Sequence, residues 1–402
     1  MPVVTVMARV RLAHILLLGA VVRIIVLIVL PPQNFPDAKA YVEIGRQLFG
    51  TGRTTDHAYM PLYPIWTFVT GGGVMLQLAD IALSLATIWV IFALSLELLK
   101  DRTAALLAAL AAALWPHFVF YAVVGLTETA YAFVVTLAFL MLYRKRWWWS
   151  VVLLAVSILI RPTLEPLIPV LLLIFAIFVH RETWRRATLL VAQFAVVYVI
   201  VMSPWWLVQY QKYGQFVRLS LGLGIVLYAG NNPTNRSGGG VGYDASDGRQ
   251  SDHNPAHPAW RIRDPIARDR ALKAAALDFI YENPGRFATL AIIKLKRFWQ
   301  LWPYAAEYRT APIIIVSVLS FGVMLAAALA FLFVYARSRW RIILPILTFV
   351  GFLTAVHMIT IGSIRYRFPL EPFLIVLGSY PIARLLERLW RARGGSGPMG
   401  AS

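Results

Sequence analysis

The chain contains 402 residues, of which 59% are hydrophobic and 14% are charged. Soluble domains are about 45–50% apolar and about 25% charged, so this composition excludes an ordinary soluble, fibrous or disordered protein and predicts an all-α polytopic membrane protein. The formal net charge of +19 does not indicate a nucleic-acid partner, because the basic residues form short clusters between apolar segments.

Apolar segments of about 20 residues, the length that crosses a bilayer as a helix, recur along the chain. About ten are present, near residues 12–31, 74–99, 103–122, 126–143, 147–160, 163–179, 187–206, 311–335, 342–362 and 369–386. Their exact number between residues 147 and 180 stays open. Most short-loop cations share the side of the N-terminus, so the positive-inside rule predicts a multi-pass protein of the plasma (bacterial inner) membrane with both termini cytoplasmic.

The segments divide the chain into four parts. These are an N-terminal transmembrane module (1–206), an outer-side loop with interfacial helices (207–310), C-terminal transmembrane helices (311–393) and a disordered tail (394–402). The first outer loop, residues 32–73, belongs to the N-terminal module. Both outer segments are too long to be mere connectors, which is typical of functional loops.

Two helices are predicted within the outer-side segment. Asp264-Pro265 marks the start of the first, which stops at Asn283-Pro284. Residues 286–302 mix apolar side chains with cations such as Lys294. This mixture predicts a helix lying in the membrane interface, with its cations facing lipid headgroups.

The first outer loop contains the first candidate catalytic group. Apolar residues at helical spacing predict an amphipathic helix over residues 38–49 on the outer membrane surface, and Asp37 stands directly before it. The carboxylate is either a helix N-cap or a catalytic group held at the boundary between membrane and water. One residue can fill both roles.

Three further ionisable residues lie within apolar segments. Glu128 falls at the outer end of the fourth segment, and a carboxylate there is either hydrated at the helix end or functional, since an unpaired buried charge costs several kcal/mol. Arg23 and Asp80 both lie on the order of 10 Å deep at 1.5 Å per residue. They are predicted to form a structural ion pair.

Cations on the outer side are candidate ligands for a phosphate. Arg365 and Arg367 precede Pro369, and in an extended segment two such residues point the same way and form a bidentate clamp. The alternative is contact with ordinary headgroups. Arg161 shares that side and either joins the clamp or pairs with Glu165 one turn later.

Two histidines, His57 and His117, also lie on the outer side. Either could join Asp37 or Glu128 around a divalent ion, but a His–carboxylate coincidence at unknown distance is weak evidence. The sequence contains no cysteine, which excludes disulfides and thiol catalysis.

Taken in order, these segments resemble the GT-C superfamily of integral-membrane glycosyltransferases, and most of all the branch of protein O-mannosyltransferases and aminoarabinose-type lipid A transferases. The likeness runs over most of the chain. It is carried by Asp37 with Tyr41 and Glu43, Tyr59-Met60-Pro61-Leu62-Tyr63-Pro64, Leu126-Thr127-Glu128, Ile160-Arg161-Pro162, Ser203-Pro204-Trp205-Trp206, Tyr213-Gly214, Tyr228-Ala229-Gly230-Asn231-Asn232-Pro233 and Arg365-Tyr366-Arg367-Phe368-Pro369-Leu370-Glu371-Pro372.

The resemblance implies catalytic roles for Asp37 and for Glu128 as the second acidic position. It also implies a substrate pocket, for which the candidates in this chain are Tyr41, Glu43, Tyr63, Tyr228, Asn231 and Asn232. Two departures matter, because relatives often have a second acid where this chain has Ala38, and aminoarabinose-type relatives have Lys where it has Met60.

Because of these departures, binding of the donor phosphate falls to other cations, and the candidates are Arg365, Arg367, Arg161 and Lys39. No cofactor is certain. A divalent cation is left open, and its candidate ligands are Asp37, Glu128 and His57.

The sequence therefore predicts an inverting glycosyltransferase that moves a single sugar from a polyprenyl-monophosphate donor to an acceptor hydroxyl on the outer face. Its expected partners are the lipid-linked donor, membrane lipids and an acceptor that is a glycan, a lipid or a protein. The alternatives are a lipid or sugar transporter or flippase, a polysaccharide ligase that uses a diphosphate-linked donor, and a non-catalytic scaffold. A transporter predicts matching inverted halves, which the sequence does not show.

Overall fold

A computed structural model of the chain describes residues 10–30, 35–50, 58–239, 254–304 and 308–392. Within these ranges the regular secondary structure is helical and contains no strand, which confirms the predicted all-α fold. The helices are α1 (Leu12–Val29), α2 (Pro36–Gly50), α3 (Leu62–Val69), α4 (Gly73–Leu99), α5 (Arg102–Leu114), α6 (Pro116–Tyr121), α7 (Thr127–Tyr143), α8 (Trp147–Ile160), α9 (Pro162–Val179), α10 (Trp184–Tyr213), α11 (Leu223–Gly230), α12 (Pro265–Glu282), α13 (Pro284–Phe298), α14 (Ala311–Ile359) and α15 (Glu371–Ala392).

Several of these helices are suited to a membrane. Among the described residues, the helices long and apolar enough to cross a bilayer are α1, α4, α9, α10 and α14, and α5, α7 and α8 are shorter apolar helices. The chain is therefore a multi-pass membrane protein. The number of spans, the four-part division and the side on which the termini lie stay predictions.

The helix boundaries differ from the predicted segments where proline or local winding intervenes. The segment predicted at 103–122 is broken at Trp115, which is extended (φ −65°, ψ 119°) because the following Pro116 disfavours a helical conformation in the residue before it. The α14 range contains two helices that meet at Arg339, whose backbone is not helical (φ −116°, ψ 18°). This break lies in the connection predicted between residues 335 and 342.

The predicted outer-side helices are also present. The helix predicted at 38–49 begins at Pro36, so Asp37 lies in its first turn instead of before it. Asp264 caps α12 as predicted, with its Oδ2 accepting a hydrogen bond from the Ala267 amide at 2.7 Å. The tail at 394–402 lies outside the described residues.

Most helices share one hydrophobic core. α4 packs against α5 and α7, α7 packs against α8, and α15 packs against both α5 and α14. Alanines line the buried face of α5, which lets its backbone approach its neighbours closely. A second, smaller cluster joins α11 to α12 through Leu227, Tyr228, Leu272 and Ala276.

The predicted ion pair between Arg23 and Asp80 is wrong. The Arg23 guanidinium donates hydrogen bonds to Ser84 Oγ at 2.9 Å and to the Ala113 carbonyl at 3.0 Å. Asp80 accepts a hydrogen bond from the Tyr63 hydroxyl at 2.6 Å. The position of a residue along a helix sets its depth in the membrane but not the direction in which its side chain points. Arg23 and Asp80 point to different neighbours, and both bind uncharged partners.

Candidate active site

Four charged side chains that are far apart in the sequence converge at one end of the helices. Asp37 lies in the first turn of α2, Glu128 lies in the first turn of α7, and Arg161 directly follows α8. Arg365 lies in a 3₁₀ turn, Ile364–Leu370, that leads into α15. Because α7 and α8 are joined by a short turn and run antiparallel, the start of one and the end of the other meet.

Arg365 joins the two acidic side chains. Its Nη1 donates to Asp37 Oδ2 at 2.6 Å, its Nη2 lies 3.5 Å from Glu128 Oε2, and its Nε donates to Glu128 Oε1. One planar guanidinium thus bridges both carboxylates, which is the geometry that its fork of donors favours.

Glu128 is fully buried and is held by a second cation. Arg161 Nη2 lies 2.5 Å from Glu128 Oε1, and Arg161 Nε donates to Thr127 Oγ1 at 2.7 Å. The alternative partner considered for Arg161, Glu165, instead accepts a hydrogen bond from the Tyr198 hydroxyl at 2.6 Å. The charge of the buried Glu128 is therefore compensated by two guanidiniums.

The accessible part of this cluster consists of Asp37 and Arg365. Their side chains are 29% and 23% exposed, whereas the side chain of Glu128 is inaccessible. Burial alone lowers the pKa of Arg365, but Glu128 and Asp37 outweigh it and hold that pKa well above its usual value. The cluster therefore presents a permanent cation beside a reachable carboxylate.

Aromatic side chains hold Asp37 from the other side. The Tyr59 hydroxyl donates to Asp37 Oδ1 at 2.7 Å. The Tyr41 ring packs edge-on against Tyr59 and Tyr63, with centroids 4.9 and 5.2 Å apart, and Tyr63 in turn is hydrogen-bonded to Asp80. Reasoning from the sequence missed the role of Tyr59, although this residue begins one of the strings that resemble the glycosyltransferases.

A cavity of about 930 Å³ lies between the end of α1, α2 and the start of α4, and its lining includes Ala38 and Lys39, which directly follow Asp37 in the chain. Lys39, Glu43 and Arg46 line it together with apolar side chains such as Leu27. Lys39 and Glu43 are exposed, and Glu43 also accepts a hydrogen bond from Gln47 Nε2 at 2.9 Å. An apolar wall with cations at its rim suits a ligand with a charged head and an apolar tail.

The two cations of the predicted clamp are not brought together. Residues Ile364–Leu370 form a 3₁₀ helix instead of an extended segment, so residues two apart point in different directions. Arg367 is 1% exposed, lies 3.3 Å from Glu371 Oε1 and stacks 3.5 Å over the Phe321 ring. It binds its own carboxylate inside the bundle, and its predicted phosphate contact has no support in this geometry.

Glu371 also engages one of the candidate metal ligands. His117 Nδ1 lies 2.7 Å from Glu371 Oε1, and Trp115 Nε1 donates to Glu371 Oε2 at 2.5 Å. His57 lies outside the described residues. Over the described ranges, no group of three or more His, Asp or Glu side chains is arranged to hold a metal ion.

The predicted pocket residues after α11 are buried among backbone groups. Tyr228 OH accepts a hydrogen bond from Asn254 Nδ2 at 2.9 Å, and Asn232 Nδ2 donates to the Tyr228 carbonyl at 2.9 Å. Asn231 Nδ2 donates to the Ile359 carbonyl at 2.8 Å, which ties α11 to the end of α14. These side chains brace the segment beside Arg365, and their contact with substrate stays a prediction.

Lys294 does not face lipid headgroups as predicted. Together with Leu290 and Phe298 it lies on the buried face of α13, and its Nζ donates to Asn231 Oδ1 at 2.8 Å and to the Ile359 carbonyl at 3.1 Å. No carboxylate among the described residues forms an ion pair with it. Burial lowers the pKa of Lys294 to about 7.

This lysine makes stability depend on pH. In the unfolded chain a lysine has a pKa of about 10.4, so between about pH 7 and 10 the unfolded state binds more protons and stability rises with pH. In detergent, the thermal midpoint of the wild-type protein should therefore rise between about pH 7 and 10. Replacing Lys294 by Met should remove the contribution of this lysine to that rise. Lys296→Met, an exposed neighbour on the same helix, should keep it. An unchanged pH profile in Lys294→Met would contradict the assignment.

One protein family matches part of the chain. Residues 60–248 match glycosyltransferase family 87, a range that includes Glu128 and Arg161 but neither Asp37 nor Arg365. No curated protein matches the chain significantly. The match covers a little under half of the chain, and it is to a family of glycosyltransferases, as the resemblance in the sequence predicted.

Two solved structures are similar to this chain over most of its length. One is ArnT from Cupriavidus metallidurans bound to undecaprenyl phosphate, with 18% identity, a TM-score of 0.44, and coverage of 93% of this chain and 79% of that one. The other is the same protein in the apo state, with 18% identity, a TM-score of 0.41, and coverage of 92% and 77%.

Proposed function

We propose that this membrane protein is a glycosyltransferase that moves one sugar from a polyprenyl-monophosphate donor to an acceptor hydroxyl on the outer face of the membrane. The observation that carries the proposal is the bridge of Arg365 between Asp37 and Glu128. The residues that follow Asp37 on α2 line a cavity with an apolar wall. The bridge sets a partly accessible carboxylate next to a permanent cation. Glycosyl transfer from a phosphate needs such a pair.

In the proposed reaction the acceptor oxygen attacks the anomeric carbon while the bond from that carbon to the phosphate oxygen breaks. Asp37 takes the acceptor proton as general base, a role worth on the order of 10²–10⁴ in rate. Negative charge develops on the departing phosphate, which Arg365 stabilises by a few kcal/mol. A single displacement inverts the anomeric configuration.

The buried residues of the cluster act by positioning. Glu128 is inaccessible and holds both Arg365 and Arg161, so we assign it to fixing the two guanidiniums instead of contacting the acceptor. Arg161, 16% exposed, supplies a second positive charge at the same place. The proposed pathway needs no divalent cation, because these guanidiniums provide the positive charge that it requires.

The lipid nature of the donor is proposed from the cavity beside α2. Apolar side chains at the end of α1, including Ile28 at 77% exposed, continue from that cavity along the membrane-facing surface. Lys39 at its rim suits a phosphate at headgroup depth. A polyprenyl tail would lie along α1, whereas a nucleotide sugar has no apolar tail that could bind this surface.

The outer face is proposed from the distribution of charge. The turn Arg144-Lys145-Arg146 lies at the end of α7 opposite Glu128, and the positive-inside rule favours a cytoplasmic location for such a turn. The cluster of Asp37, Glu128, Arg161 and Arg365 then faces outwards. The acceptor class stays open among glycan, lipid and protein.

The donor class can be tested in right-side-out membrane vesicles from cells that express the protein, since these contain the natural acceptors. A labelled sugar on polyprenyl monophosphate should pass to an acceptor with inverted anomeric configuration. The same sugar on a nucleotide or on polyprenyl diphosphate should not, and vesicles without the protein serve as the control. Movement of an intact labelled donor across the bilayer without transfer would favour a flippase, and use of the diphosphate would favour a ligase.

A further inference from the structure

A basic turn lies at the far end of the bundle from the candidate active site. Arg144, Lys145 and Arg146 connect α7 to α8, and α7 has 17 residues, so the turn is about 25 Å from the start of that helix. The turn is well fixed, because the backbone amides of all three residues donate to carbonyl groups in the last turn of α7.

The charges of this turn are only partly compensated. Arg144 Nε lies 3.5 Å from Glu97 Oε2, and Lys145 Nζ lies 2.5 Å from a carboxylate oxygen of Glu182. Arg146 is exposed, and no carboxylate of the described residues forms an ion pair with it. The turn therefore keeps a positive charge that a ligand can use.

A cavity of about 810 Å³ opens at the turn. The three basic residues line it together with Trp149, His180 and one carboxylate, that of Glu97, which pairs with Arg144. His180 is fixed by its Nε2, 2.7 Å from the Leu142 carbonyl, and by edge-on packing against the Trp147 ring at 5.0 Å. One wall of the cavity is thus built from side chains that have their own supports.

Exposed tryptophans mark the level of this cavity in the membrane. Trp148 and Trp149 are 61% and 60% exposed, and Trp184 at the start of α10 is 65% exposed. Tryptophans concentrate where the headgroups of a bilayer meet its hydrocarbon. The ligand best suited to a basic cavity at this level is a lipid, because its phosphate meets the cations while its chains stay in the membrane.

We propose that the cavity at Arg144-Lys145-Arg146 binds the headgroup of one anionic phospholipid, with Arg146 as the main phosphate contact. The site is remote from the donor site and does not depend on the proposed reaction. The bound lipid would lie at the opposite end of the helices from Asp37. It would therefore anchor the protein in the membrane at the end away from the candidate active site.

The test uses the purified full chain in detergent, with phosphatidylglycerol or phosphatidylcholine added. Phosphatidylglycerol should raise the thermal midpoint selectively, and Arg146→Gln should weaken the half-saturating concentration about fivefold, the effect of removing one cation near a membrane surface. Arg146→Lys should restore most of the effect. Arg102→Gln, an exposed cation at the same end of the bundle and outside the cavity, is the matched control.

Three outcomes would overturn the proposal. The first is an equally weakened response to phosphatidylglycerol in Arg102→Gln, which would indicate general surface charge. The second is an undiminished response in Arg146→Gln. The third is an equal rise in thermal midpoint with inorganic phosphate, which would indicate a site for free anions. A photoactivatable phosphatidylglycerol provides a check on the wild-type protein alone. Its label should map to residues 141–149 or to His180, and labelling only elsewhere would contradict the site.

Discussion

Replacing Asp37 by Asn should lower the turnover of sugar transfer about 10²- to 10⁴-fold, because the amide cannot accept the acceptor proton. Asn keeps the shape of the side chain and an oxygen for the Tyr59 hydroxyl, so the fold should persist. The loss should fall on kcat at saturating donor, with the KM for donor little changed. Transfer assays in vesicles measure the loss of catalysis, and the thermal midpoint in detergent shows whether the fold is intact.

The control for this change is Asp278→Asn, which alters an exposed carboxylate on α12 away from the cluster. It should keep full turnover. If Asp37→Asn keeps the kcat of the wild type, Asp37 is not the general base, whatever its effect on donor binding.

Glu128→Gln should both destabilise the protein and abolish most activity. The change leaves Arg161 and Arg365 without the buried carboxylate that compensates them, and removing one partner of a buried ion pair costs about 3–5 kcal/mol. The thermal midpoint in detergent should fall well below that of Glu97→Gln. That control removes a partly exposed carboxylate, for which about 0–1 kcal/mol is expected.

A second change distinguishes charge from packing as the cause. Arg365 keeps Asp37 as a partner in Glu128→Gln, whereas Arg161 loses the carboxylate that it pairs with. Adding Arg161→Gln removes this unpaired cation, so the double variant should regain part of the lost stability. If the two losses simply add, the cluster is not held together by charge, and the positioning role of Glu128 fails with it.

The helices were predictable because their signals are local. Long apolar segments fixed the positions of α1, α4 and α10, and Asp264 before Pro265 fixed the start of α12. The break at Arg339 was predictable as well, because the cations Arg337, Arg339 and Arg341 stand between two apolar segments and indicate a turn between helices.

The members of the charged cluster could be picked out in the sequence, but the ion pairs among them could not. Asp37, Glu128, Arg161 and Arg365 were all identified as candidates, because each is a charged residue at the outer end of an apolar segment or in the first outer loop. Which cation meets which carboxylate depends on the rotation of each helix, which the sequence does not specify.

Arg367 shows the same limit for local conformation. Its predicted direction assumed an extended chain before Pro369, whereas the 3₁₀ winding turns it towards Glu371. The buried position of Lys294 had a usable signal, since Leu290, Lys294 and Phe298 are spaced four residues apart on α13 and share one face.

Both oxygens of Asp37 are occupied before any substrate arrives, Oδ1 by the Tyr59 hydroxyl and Oδ2 by Arg365. A phosphate drawn to that guanidinium competes for the donors that now hold Oδ2, and so frees this oxygen for an incoming hydroxyl. Loading of the lipid carrier would then favour productive docking of the acceptor, giving a sequential kinetic scheme with a preferred order. An alcohol that reaches the resting enzyme first would share Oδ1 or Oδ2 with a donor already bonded there and would bind less tightly.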